Sequence, residues 1–403
     1  MASSFFSNLW SYITRINRRD LIIAVITILI WIILFLLLVV FKGSYIFEGQ
    51  VVASEMSFTY NGESAKPFLQ NVMGIRGIDL RGKQSQSLTL KGKFTSEDES
   101  INQQLQNVDQ IKIDFPYATS RLILTPTNSS SSQQFAILGL SINPQTRINQ
   151  LTYNQKQQVS FCLQSAVQPS KYCLFPENAA SDSNSKSLGN LKLLLAQHTY
   201  TLNLEQVNIP QLNIKSDNNS YQAIKLRYTP RTQEPQLNLL SPTTIRIDLP
   251  QETKPEQEKE SPQWFYEDFD VKDVDFYRFK QSSNVRDKIQ NSTIISGKLR
   301  MHDQDLNLEK NQFLIVADDK PGIRKLRYLD IKPNKPLSLT TLVSGKSKGI
   351  AVGLYPQFPI AAIRPSLLSK YLSSEAIAAI LSFFSAFTAL AIERVLFQDN
   401  SVP

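Results

Sequence analysis

In this chain of 403 residues one stretch gathers the residue types that could most readily do chemistry. Trp264 to Asp275, WFYEDFDVKDVD, sets Trp264, Phe265, Tyr266 and Phe269 among Glu267, Asp268, Asp270, Asp273 and Asp275. Aromatic faces beside carboxylates suit sugar stacking, and paired carboxylates suit glycoside hydrolysis or Ca²⁺ binding. Asp268, Asp270, Asp273 and Asp275 are therefore the metal candidates, weak ones, and a cell-surface glycan is the candidate ligand. Carboxylates on a single strand cannot by themselves flank both faces of a glycosidic bond. Catalysis would need a second carboxylate from elsewhere, brought opposite Asp268 or Asp270. The plainer reading is a strand whose aromatics fill a core.

The other constellations fail on spacing. Asp303, Asp305, Asn307 and Glu309 resemble half a calcium loop, but Leu308 occupies the sharp-turn position and Leu314 the closing one. Gly345-Lys346-Ser347 has Thr340 where a phosphate loop requires its earlier glycine. His198 and His302 are the only histidines, which argues against His-based metal sites and Ser-His-Asp hydrolysis. Cys162 and Cys173 are the only cysteines. They could close one hairpin loop in an oxidising compartment, or stand as two buried thiols. No nucleophile–base pair and no Gly-rich cradle emerges, so the sequence leads us to expect neither catalytic residues nor a cofactor.

The elements that must position these groups begin with Leu21 to Phe41, LIIAVITILIWIILFLLLVVF, which holds no charge, glycine or proline. At 1.5 Å per residue it covers roughly 30 Å, the thickness of a bilayer's hydrocarbon core. A helix satisfies its own backbone groups, so the segment reads as a transmembrane helix. Residues 1–20 carry Arg15, Arg18 and Arg19 with Phe5, Phe6, Trp10 and Tyr12, an interfacial segment that stays cytoplasmic. The apolar run exceeds that of a cleaved signal peptide, which makes it an uncleaved signal-anchor.

From Gly43 the period changes from helical to alternating. In SLTLKGKF, Leu88, Leu90 and Phe94 share one parity and Thr89, Lys91 and Lys93 the other, a strand with one face buried and one wet. Runs such as Gln50–Tyr60, Gln110–Phe115, Phe135–Ile142, Leu191–Leu204 and Thr244–Leu249 read likewise, with Ser, Asn, Pro and Asp clusters between them. Only Ser64–Val72 and Glu99–Val108 read as short helices. Many short strands without interleaved helices predict a mainly β fold, an antiparallel sandwich or jelly roll. PQETKPEQEKESPQ, 250–263, is a charged, Pro-containing linker. It divides a larger lobe at 44–249 from a smaller one at 264–368.

A second apolar run, Ala376–Ile392 within a segment 373–397, reads as a further span at the short end of the range. Ala378, Ser382 and Ala386 recur every four residues and form a small-residue face suited to helix packing in lipid. With both spans crossing, the loop between them lies on one side, and the first span's flanks put it outside the cytoplasm. Residues 320–370 carry ten bases and one acid, a surplus of 10 − 1 = +9 that on its own would favour the opposite side. Within this run Lys320, Arg324, Lys325, Arg327, Lys346 and Lys348 are candidates for headgroup contact. The formal charge of +8 is scattered rather than striped, which argues against nucleic acid. The expectation is an integral membrane protein that presents its β lobes as a binding or assembly module, with the bilayer and a protein as partners. The alternatives are a glycan-binding or glycan-processing protein, and an accessory subunit of a larger membrane complex.

Overall fold

The alternation of SLTLKGKF passes directly into structure. Leu88–Ser96 is a strand with Leu88, Leu90 and Phe94 buried and Thr89, Lys91 and Lys93 exposed. The computed structural model describes residues 18–84, 86–127, 135–166, 187–215, 223–231, 233–249, 268–280, 289–316, 322–332 and 338–397. The linker at 250–263 and the aromatics Trp264, Phe265 and Tyr266 lie outside them. Within them the chain is mainly β, with a 19-stranded antiparallel sheet and an apolar helix toward each end.

From Leu88–Ser96, which also pairs with Gln110–Ile113, the ladder passes to Ala223–Pro230, Tyr200–Glu205, Arg121–Pro126, Gly77–Gln84 and Gln236–Asp248. It continues through Gln158–Ser165, Thr146–Tyr153, Glu55–Tyr60, Phe269–Asp275 and Gly322–Lys332. Ser338–Ser347, Tyr45–Ala53, Ile294–Met301 and Gln304–Leu308 complete it. Gln236–Asp248 is a branch point. Its second half pairs with strands on both sides, while its first half pairs with Ser187–Leu195, which leads on to Phe135–Ile142 and Lys66–Met73. Pro242 sits at the change of partner, where a residue without an N–H loses no ladder bond.

Phe68, on the branch, meets Phe161 edge-on at 5.7 Å and Phe58 at 6.1 Å, both on the main ladder. One cluster of buried side chains runs from Phe47 to Ile363 and includes residues before and after the 250–263 linker.

Local departures from the sequence reading have physical causes. The helix expected over Ser64–Val72 is the strand Lys66–Met73. A register shift between Pro67 and Leu69 lets Phe68 and Leu69 both face the core, so the period-2 signal is erased and a helix-like spacing remains. The helix Glu99–Leu105 is present, capped by Asp98, whose carboxylate accepts from Ser100 N at 2.9 Å and Ile101 N at 3.3 Å. Gln50–Tyr60 divides at Ser54 into Tyr45–Ala53 and Glu55–Tyr60. Leu191–Leu204 divides at the polar AQHT turn into Ser187–Leu195 and Tyr200–Glu205.

Candidate functional site

The apolar helices are the chain's most distinctive surface. The first, α1 (Arg18–Phe35), is followed by a π-helical turn, Leu36–Val40, which Phe41 closes by donating to Leu36 O at 2.8 Å. Glu99–Leu105 is α2. The last, α3 (Ser374–Phe397), starts at Ser373, whose hydroxyl accepts from Ala376 N at 3.2 Å as an N-cap. Ile22–Val40 and Ser374–Glu393 are each long and apolar enough to cross a bilayer. Most of their side chains are exposed: Ile28 at 60%, Phe383 at 67% and Leu390 at 64%. Two adjacent helices with apolar outer surfaces of this length find no favourable surroundings in water.

On α1, Thr27 and Leu34 are buried and Trp31 is half-buried. These three fall on one face at helical spacing. The Trp31 indole N–H donates to Thr388 Oγ1 at 2.8 Å, and Thr388 in turn donates to Phe384 O at 2.7 Å. Thr27 and Ser382 donate to the carbonyls of Ile23 and Ala378. These hydroxyls are therefore satisfied within their own helices. Trp31 carries a donor its own helix cannot satisfy, and the partner helix supplies the acceptor. An apolar groove of about 730 Å³ runs alongside, lined by residues including Ala24, Ile28, Phe35 and Ile392.

Half-buried Ile377, Leu381, Phe384, Thr388 and Ala391 recur along the α3 side that carries Thr388. Ala378, Ser382 and Ala386 are exposed instead, so the small-residue face is not the face that meets α1. Sequence reasoning missed the Trp31–Thr388 pair. The signal was available, because Trp favours the interface and stands here in mid-span.

Beyond the π-helical turn the two ends are stitched together. Lys42 forms a β-bridge with Ser366, Leu367 N–H donates to Phe41 O at 2.9 Å, and the Tyr45 hydroxyl donates to Ser366 O at 2.5 Å. Tyr45–Ala53 then enters the sheet as an interior strand between Ile294–Met301 and Ser338–Ser347.

The acidic stretch is arranged otherwise. Phe269 is fully buried, with Tyr60 at 4.5 Å and Phe58 at 6.1 Å, so its ring fills the core rather than a binding surface. Asp268 and Asp270 face Lys325, at 3.3 and 3.9 Å, and Lys66 Nζ donates to Asp268 O at 2.6 Å. A lysine stands where the glycosidase reading needs a second carboxylate. Asp275 is held by Arg147 at 2.6 Å, and Arg147 also donates to Asp273 O at 3.2 Å. Burial lifts the Asp275 carboxyl above its usual range against the opposing pull of Arg147 and Tyr277. The Tyr277 hydroxyl is pushed up to about 12, by burial first and by Asp275 second. Asp268 and Asp270 thus face Lys325 and Asp275 faces Arg147, which takes only the backbone carbonyl of Asp273, and among the described residues no cluster of three acids, His or Cys could hold a metal.

Cys162 is buried and disulfide-bonded. Cys173 lies outside the described residues, as does Lys320. Lys325 and Arg327 are engaged, the latter with Glu48 at 3.6 Å, while Arg324, Lys346 and Lys348 are exposed.

No family model, curated protein or solved structure matches this chain.

Proposed function

We propose that this is a two-pass membrane protein whose antiparallel spans hold a β-sandwich ectodomain against the extracytoplasmic face of a bilayer, where it serves as a binding or assembly module without catalytic chemistry. The observation that carries the reading is the Trp31–Thr388 hydrogen bond, made across two helices whose outer surfaces are apolar and exposed. Within hydrocarbon such a donor needs a protein acceptor, and the partner helix provides one. The disulfide at Cys162 fits an oxidising compartment. The sequence's N-terminal arginine flank favours a cytoplasmic N-terminus and so an extracytoplasmic ectodomain.

Tags at both termini and an Ile46→Cys thiol, at a position 73% exposed just past the first span, test this topology. The protein should resist alkaline carbonate extraction. External protease should spare both tags, and a membrane-impermeant maleimide should label the thiol from outside. A C-terminal tag accessible on the thiol's side would overturn it.

The outward Ala378–Ser382–Ala386 face favours a second reading, an accessory subunit docked through α3. Ser382 already bonds its own helix, so Ser382→Leu probes shape alone. It should abolish co-purification of a specific partner while leaving the protein membrane-bound. Unchanged assembly would remove this reading. The glycan alternative has less support, given the burial of Phe269 and the place of Lys325.

A further inference from the structure

Backbone pairing fixes which residues share the level at which the two spans leave the sheet. Lys42 bridges Ser366, Tyr45 stands opposite Ser347, Ile46 opposite Lys346, and Gly322 opposite Lys346 on the other side. Ile363, opposite Ile350, leads through Arg364 to the same point. Besides Lys348, next to Ser347, five basic residues belong to this level: Lys42, Arg324, Lys346, Arg364 and Lys370. None of these five forms an ion pair among the described residues. Farther along the same strands the bases are engaged, Lys325 with Asp268 and Asp270, and Arg327 with Glu48. Of the acids nearby, Asp303 is held by Arg300 at 3.5 Å and Glu375 opens α3. Ile46 and Tyr371 are exposed at 73% and 72%, and the Lys370 ammonium lies 5.3 Å from the Tyr371 ring centre.

We infer that this basal face is a binding surface for anionic phospholipid headgroups, with the five bases meeting phosphates while Ile46 and Tyr371 enter the interface. The inference rests on the two-pass reading. If the spans cross, the bilayer surface begins where they emerge, within a Debye length of these charges. Cations without an ion-pair partner among the described residues, beside an amphipathic aromatic, match the chemistry of a headgroup layer.

The test uses full-length protein reconstituted into nanodiscs of phosphatidylcholine with and without phosphatidylglycerol. After detergent extraction, retained lipid is measured by native mass spectrometry. The native protein should enrich phosphatidylglycerol about fivefold over phosphatidylcholine, and Arg324→Gln/Lys346→Gln/Lys370→Gln should reduce the ratio to about one. Lys91→Gln/Lys93→Gln/Lys112→Gln removes the same charge from the distant Leu88–Ser96 and Gln110–Ile113 pair and should leave enrichment intact. No enrichment, equal enrichment in the basal variant, or equal loss in the distant one would overturn the inference. Carbonate extraction of native and variant proteins separates the two failures. Release of the native protein would defeat the two-pass reading, whereas retention without lipid preference would defeat this inference alone.

Discussion

Arg147 shows how a single side chain carries the acidic stretch that the sequence offered as a site. It reaches Asp275, the Asp273 carbonyl and, at 3.5 Å, the Thr59 hydroxyl, and so fastens Phe269–Asp275 to Thr146–Tyr153 across Glu55–Tyr60. Arg147→Met leaves a carboxylate without its cation and should cost about 3 kcal/mol at neutral pH. The sign with pH follows from Asp275. Its folded pKa is already raised by burial and rises further without Arg147, so the folded state holds a proton that the unfolded chain releases. The variant's penalty should therefore be small below about pH 4 and grow as pH rises toward 7. Thermal melts of native and variant proteins across that range check this; a penalty that grows on acidification would contradict it. The Trp31–Thr388 bond is the second residue-scale case. Thr388→Val keeps the shape and removes the acceptor, so the detergent-solubilised protein should melt about 2 °C lower. An unchanged melting point would show that the indole finds another acceptor.

At the scale of elements, Tyr45–Ala53 joins the first apolar helix to the sheet. It lies between two strands at close range, and a Cβ at Gly49 would come within 2.1 Å of the Lys298 carbonyl oxygen and 2.6 Å of the Leu299 Cα. Gly49→Val should therefore part Ile294–Met301 from this strand, cost about 3 kcal/mol or more, and expose that hairpin to protease. Native-like protease resistance would contradict the close packing. The regular strands were legible in the sequence because alternation survives wherever a strand keeps one buried face. Lys66–Met73 was not legible, because its bulge depends on the partner strand Phe135–Ile142. Both membrane-length helices were legible from hydrocarbon-length apolar runs. Their mutual face was not, since a helix apolar all round shows no amphipathic stripe to point with.

Across the whole molecule, the linker at 250–263 and the interior place of Tyr45–Ala53 bear on one another. The strand precedes the linker in the chain, yet its neighbours in the sheet, Ile294–Met301 and Ser338–Ser347, both follow it. A protease site inserted within 250–263 should be cut readily, and the two fragments should co-elute in mild detergent and melt in a single transition. Separation of the fragments would show two independently stable lobes and contradict the shared core. The same arrangement returns the second apolar helix beside the first, because Ser366 must reach Lys42.

The sequence by itself determined the class of elements: two apolar helices of bilayer length and period-2 strands between them. Those features are local, set by rise per residue and by side-chain alternation. Only the tertiary structure decided that Asp268 and Asp270 would face Lys325 and Asp275 would face Arg147, that Trp31 would find Thr388, and that Lys42 would bridge Ser366 where the two apolar helices meet the sheet. Such pairings join residues far apart in the chain, and strand register and helix facing, which bring them together, are properties of packing that no single segment encodes.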